Sequence, residues 1–526
     1  MRAGSLALRS LLAIGLMVGF YGLAVAVVWG LLYIPYAEVV YLNRLHFKLA
    51  LLCLAGAGVV FWSVVPRPDR FVPPGPELEA SRQPELFGLL ESVRQETEQN
   101  APRNVYLILD VNAWVAQRGG FMGFGSKRVM GLGLPLMQVL TVDQLRAVLA
   151  HEFGHYYGGD TMLGPWIQKT RMGLLRTIVN LGDSWIRLPF TVYARLFFRI
   201  TNAVSRQQEL SADRLAARVA GPQALADGLR QIHRAAAAFG PFWQSEYVPA
   251  LGSRLRPPLA LGFHRFLRHK QVVAGTECAL QEELAVAQVD PYDSHPPLPE
   301  RLAALARFAH TTSYGDSRMA IELLNGVAEL ERDLLGISVD PELNNARPVE
   351  WSEVPELVWL PSWRKEVSRQ VRALQGTTVA DAASLCYEPQ AIARKLVFPP
   401  GDLPDLEQRC RAARSVTGIA LGVALVDSGW RMEGNLGDPI TCTRGTEIIE
   451  PLALAEKIES GELTPQTWRD YCDRCGISAL RLASMVPGPT ESDDAGHLNE
   501  DLLCGHCGIE VTPSGLGLCP FCGQRL

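Results

Sequence analysis

The stretch His151-Glu152-Phe153-Gly154-His155 decides how the rest of the chain is read. On an α-helix, side chains four residues apart leave the same face about one turn from each other, so both imidazoles can ligate one zinc ion with Glu152 beside them. The pattern therefore needs a helix, and its flanks supply one. Thr141 is a good N-cap with Gln144 as its reciprocal partner, and Leu140 and Leu145 stand at the spacing of a hydrophobic staple. The helix is expected to start at Val142, to bury Leu145, Val148 and Leu149, and to stop at Gly158-Gly159.

Two histidines leave a tetrahedral zinc one protein ligand short, because a hydrolytic site needs three ligands and an open position for water. Ser205-Arg206-Gln207-Gln208-Glu209-Leu210-Ser211-Ala212-Asp213 provides the candidate, on a helical stretch that Gly221-Pro222 closes. Glu209 and Asp213 share a helix face, which lets Glu209 ligate zinc while Asp213 accepts a hydrogen bond from a ligating histidine. Alone, E-x-x-x-D is an ordinary solvated face; following H-E-x-x-H it becomes a specific signal. The small Ala212 lets the two helices approach closely.

At 526 residues the chain is long enough for three or four compact units, and its net charge of -5 argues against a general nucleic-acid binder. The expected units are residues 1–66, 67–345, 346–486 and 487–526. Residues 11–33 and 49–65 carry no charge, and residues 35–48 link them, which reads as a transmembrane hairpin anchored in the lipid bilayer. A cleaved signal peptide is the alternative for the first run, since Arg2 and Arg9 precede it. Arg2, Arg9, Arg67, Arg70 and Arg82 outnumber Arg44 and Lys48 in the link, placing both termini inside. Five prolines between Pro66 and Pro76 then make a stiff spacer.

Beyond the spacer, a helix is expected over residues 78–99, with strands over 105–109 and 128–134. The second strand, just before the zinc helix, either offers its edge to an extended peptide or is an ordinary sheet strand. Residues 161–200 mix apolar side chains with Lys169, Arg171, Arg176, Arg187, Arg195 and Arg199, leaving no window able to span a membrane. They read either as amphipathic helices at the lipid surface or as a soluble hairpin packed on the catalytic core.

Four of the eleven cysteines, Cys504, Cys507, Cys519 and Cys522, form two C-x-x-C pairs that read as a small zinc ribbon, folded by its metal. Zinc-binding thiolates favour a reducing compartment, so this half is expected in the cytosol. Cys472 and Cys475 read as free buried thiols. Residues 416–426 are a strand or a buried helix, and helices are expected from Trp363, over 449–460 and over 464–484.

Taken together, Asn112-Ala113, residues 140–155, Arg206, Glu209, Ala212, Asp213, and Ser294-His295-Pro296-Pro297 with Arg301 resemble the integral-membrane zinc metalloproteases that include HtpX and the CAAX prenyl endopeptidases. The likeness covers about residues 80–310. It implies a gluzincin-type, mainly α (α+β) domain with a small sheet, with His151, His155 and Glu209 as ligands, Asp213 behind them and Glu152 as general base. His295 matches a histidine near the active site in that family, where it is placed to stabilise an oxyanion; the alternative is a capping or core histidine. Prenyl endopeptidases have more spanning segments than are visible here, which argues against prenylated peptides as substrates. The expectation is a multi-pass protease of a bacterial-type cell membrane. Its catalytic domain faces the cytosol, it carries one catalytic and one structural zinc, and it cuts protein or peptide substrates in membrane-protein quality control or processing. The competing readings are a catalytically silent zinc-dependent scaffold and a protein-binding module centred on the ribbon.

Overall fold

Both uncharged runs are helical. The computed structural model describes residues 3–65, 71–119, 125–155, 164–285, 295–308, 315–398, 404–434 and 436–483, together with the backbone of 502–503 and 510–511. It is largely helical with small sheets, and it divides into two units: Met1–Ala235 with Glu277–Val327, and Ala236–Thr276 with Ala328–Leu526.

In the first unit, α1 (Ala3–Leu42) and α2 (Phe47–Val64) are long and apolar enough to cross a membrane, with mean hydropathy 2.5 over the most apolar 18 residues of Leu11–Leu42 and 1.9 over Phe47–Val64. The link is shorter than expected. α1 runs on through Pro35, and the chain reverses between them, where Asn43 takes φ 48° and the His46 backbone N–H donates to Glu38. Asn is among the few residues that adopt this conformation cheaply.

The helix expected from residue 78 begins later. Glu77–Leu78 is a short strand, β1, and α3 spans Pro84–Thr97, starting where a proline costs no intrahelical hydrogen bond. The sheet is completed by β2 (Asn104–Ile108), β3 (Ala113–Arg118) and β4 (Lys127–Gly133), in the order β1-β2-β4-β3. β2 and β4 run parallel, while β3 and β4 are antiparallel with Trp114 opposite Gly131. Of the two readings of residues 128–134, the ordinary sheet strand holds and the peptide-binding edge does not. β4 is an interior strand, and the strand at the end of the order is β3, where no strand was expected.

A short helix, α4 (Leu134–Val139), leads to α5 (Val142–Gly154), the helix of the opening stretch. Its start is as expected: the Gln144 N–H donates to Thr141 Oγ1 at 3.3 Å, and the Thr141 N–H donates to Gln144 Oε1 at 3.0 Å. Leu140, Leu145 and Leu149 are fully buried and Val148 nearly so. Thr141→Ala should therefore cost about 1 kcal/mol of stability, and Thr141→Ser much less; equal thermal unfolding of the two variants would remove the cap from this account. α5 ends at Gly154, and the expected stop at Gly158-Gly159 lies outside the described residues.

α6 (Gly164–Leu181) and the first half of α7 (Arg187–Ala220) settle what residues 164–200 do. They form a hairpin packed on α1 and α2 around a shared core of Phe20, Leu31, Cys53, Val60, Leu174, Ile186, Phe190 and Phe197. Neither earlier reading anticipated these partners. Two of the cations turn inward, while Arg195 and Arg199 stay exposed: Arg171 donates to Asn202 and lies over the Phe198 ring, and Arg176 donates to the Ser63 carbonyl. The outer face is apolar at helical spacing, with Met172, Leu175 and Val179 exposed on α6 and Leu188, Val192 and Leu196 on α7. The second half of α7 packs on α5. A single helix about 50 Å long, at a rise of about 1.5 Å per residue, thus joins the apolar bundle to the candidate metal site.

In the second unit, the helices Leu360–Arg369 and Leu406–Asp427 and the three-stranded antiparallel sheet Arg431–Glu433, Thr441–Arg444, Glu447–Ile449 enclose a core with Trp363, Leu421, Cys442, Trp468 and Cys472. Residues 416–426 are thus the buried part of a helix rather than a strand. The helix expected over 449–460 is shorter, Leu454–Glu459, because Glu447–Ile449 is drawn into the sheet. Cys472 is buried and free, and Cys475 is free and partly buried. Cys504, Cys507, Cys519 and Cys522 lie outside the described residues; Leu502–Leu503, before Cys504, pairs antiparallel with Glu510–Val511, between Cys507 and Cys519.

Candidate metal centre

α5 and α7 bring the predicted residues together because their backbones nearly touch. A Cβ on Gly154 would stand 2.8 Å from the Ala212 Cα and 3.0 Å from its Cβ, so both small residues are needed at the crossing. The approach carries His151 and His155 on α5 opposite Glu209 on α7. One ligand atom from each lies within 4.8 Å of the others. Among the described residues this is the one such group of three histidine, cysteine or carboxylate side chains.

The imidazoles are 4.8 Å apart, ring centre to ring centre, and nearly perpendicular. Nε2 of His151 is 3.4 Å from Glu209 Oε2, and Nε2 of His155 is 3.6 Å from Oε1. Glu209 Oε2 is buried with no donor in hydrogen-bonding geometry, a costly state for a carboxylate oxygen unless a cation meets it. Two imidazole nitrogens and one carboxylate with such an orphan oxygen are a donor set that fits a zinc ion.

The surrounding charges are ordered by burial and by neighbours. Burial works against the charged form of His151, but Asp213 and Glu209 outweigh it and raise the imidazole to about 9. Burial and the neighbouring His151 push His155 down to about 4. Burial opposes ionisation of Glu209 and Asp213, yet both are held below the usual carboxylate range, Glu209 by His151 and His295 and Asp213 by His151 and Arg301. Glu152 moves the other way: burial pushes it up to about 7, against the hydrogen bond it accepts from the Val115 backbone in β3. A carboxyl poised near neutrality is what a general base requires.

Asp213 Oδ1 lies 2.9 Å from His151 Nδ1, the position expected of a carboxylate behind a metal-bound histidine. His295 is exposed, with Nδ1 3.2 Å from Glu209 Oε1. It is therefore not a core histidine, and the following helix Leu298–Leu305 has Pro297 at its cap. Ser294 lies outside the described residues. Sequence reasoning missed two contributions: β3, whose Val115 holds Glu152, and Gly154, whose missing side chain was hidden inside the motif itself.

Residues 80–309 match the family profile described as Peptidase family M48. That stretch is similar to an M48 peptidase domain. The M48 match contains every residue of the site described above, from Val115 to Arg301. Among the curated relatives, "Protease HtpX homolog" of Methylibium petroleiphilum is 28% identical over 175 residues, covering 30% of this chain and 59% of that protein. The protein of the same name from Burkholderia multivorans is 28% identical over 191 residues, 33% of this chain and 64% of the relative. The one from Ralstonia pickettii is 27% identical over 256 residues, 45% and 78% respectively. The chain thus spans about three fifths of the length of the first two relatives, and all three likenesses leave more than half of it unmatched. No solved structure matches it.

Proposed function

We propose that this chain is a membrane-anchored zinc endopeptidase of gluzincin type that cuts exposed or unfolded segments of membrane and membrane-proximal proteins. The observation that carries the reading is the convergence of His151, His155 and Glu209, with Glu152 beside them, inside the stretch similar to an M48 domain. When bound there, zinc supplies a Lewis acid that makes water nucleophilic near neutral pH and polarises the peptide carbonyl. Glu152 accepts the proton of the attacking water and returns it to the leaving amine. Its hydrogen bond from Val115 fixes the carboxyl beside the ligand pair while leaving it high enough in pKa to give the proton up again. His295, exposed at the rim, is placed to donate to the oxyanion that develops on the scissile carbonyl.

Substrate enters as an added strand on β3. That strand ends the sheet order and touches Glu152 through Val115, so backbone pairing there lays an extended peptide past the base with little demand on its sequence. Location then does the selecting. α1 and α2 cross the bilayer, the apolar outer faces of α6 and α7 continue the lipid-facing surface, and the M48 domain works on the cytosolic side. Membrane-protein quality control or processing is the fitting role. The C-terminal cysteine pairs hold a second, structural zinc.

The test is metal removal and return on the full chain in detergent. A chelator should abolish cleavage of an unfolded casein-type substrate, and stoichiometric zinc should restore it. Cleavage that survives complete removal of zinc would overturn the zinc mechanism, and its absence from fully loaded protein would leave the silent scaffold or the ribbon-centred binding module.

A further inference from the structure

The helix Leu298–Leu305 contributes a buried cation that the reaction scheme does not use. Arg301, 9% exposed, forks onto Asp213: its Nη2 donates to Oδ1 at 2.6 Å and its Nε to Oδ2 at 2.9 Å. The same Oδ1 lies 2.9 Å from His151 Nδ1. Six residues upstream on the same segment, His295 reaches Glu209, one helical turn before Asp213 on α7. The intervening chain, Pro296-Pro297-Leu298-Pro299-Glu300, has three prolines that fix their φ angles, so the two ends are not independent.

We propose that Arg301 is a positioning residue that makes the metal centre in two ways. Its planar fork holds the Asp213 carboxylate in one orientation, so that Asp213 takes the Nδ1 side of His151 and leaves Nε2 for the metal. Through the proline-stiffened segment, the same anchorage fixes His295 over Glu209. A two-pronged bond explains why an arginine stands here: a lysine supplies the charge at one point but cannot set the plane of the carboxylate.

The inference rests on the zinc-peptidase reading only for the consequence of His295; the effect on metal binding is separate, and it is the effect the experiment reads. Metal affinity of the full chain is followed by cobalt titration, since a His/Glu site lacks the thiolate charge-transfer band that the ribbon cysteines would give. Arg301→Gln should weaken binding at the His/Glu site by about 10- to 100-fold, the usual cost of removing such a supporting partner, with Arg301→Lys in between. Arg301→Gln alone strands a buried carboxylate and can fail to fold, so Arg301→Gln/Asp213→Asn supplies a neutral pair of similar shape; its affinity should remain lowered. Wild-type affinity in the folded single or double variant overturns the proposal. Weakened affinity in a chain that hydrolyses no peptide keeps the positioning role and sinks the peptidase reading instead.

Discussion

Glu152→Gln should lower peptide hydrolysis by about 10²- to 10⁴-fold, the range removed with a general base, while metal content and thermal stability stay as in the wild type. The substitution is nearly isosteric. A glutamine oxygen still accepts the Val115 backbone hydrogen bond, so β3 and α5 keep their relation, and none of the three ligand side chains is touched. What disappears is the one group beside the ligand pair whose pKa is lifted toward neutrality, to about 7, mainly by burial. The measurement is fragment release from an unfolded substrate by matched, metal-loaded preparations. Activity within tenfold of wild type would move the base elsewhere, with exposed His295 the next candidate. Equal silence of both proteins would favour the zinc-dependent scaffold.

How much of this was legible in the sequence depends on the range of the interaction involved. The cap at Thr141 and Gln144, the register of His151 against His155 and the register of Glu209 against Asp213 are all set within four residues, so helical periodicity reveals them. The end of α7 at Ala220 is equally local, because Gly221 takes φ 92°. β3 was invisible for the opposite reason. Ala113–Arg118 carries only one β-branched residue, and it is a strand because six of its residues pair with β4; local propensity yields to partners elsewhere in the chain. The α6–α7 hairpin shows the same limit. Its sequence displays apolar faces and cations but not that the inner face meets α1 and α2, which are more than 100 residues away. Arg301 was noticed only as part of a family likeness; its grip on Asp213 joins positions 88 residues apart.

Gly154→Ala should lower both metal affinity and hydrolysis by about 10²-fold, the penalty for displacing catalytic groups by about an ångström. Within H-E-x-x-H the glycine looks like filler, and no positive φ requires it. Its role is the space it leaves. The new methyl would sit 2.8 Å from the Cα and 3.3 Å from the carbonyl oxygen of Ala212, backbone atoms that cannot rotate away, so the helices must separate. Separation at that point moves His151 and His155 away from Glu209, three residues before Ala212 on α7, and the ligand triangle opens. Overpacking of this kind costs about 1–3 kcal/mol, which the large buried interface between the two helices can bear, so the variant should still fold. Loss of metal without loss of fold is thus the expected signature, read by zinc content together with thermal unfolding. Full metal occupancy in Gly154→Ala would mean that the helices tolerate the extra methyl, and that the closeness of α5 and α7 does not hold the site together.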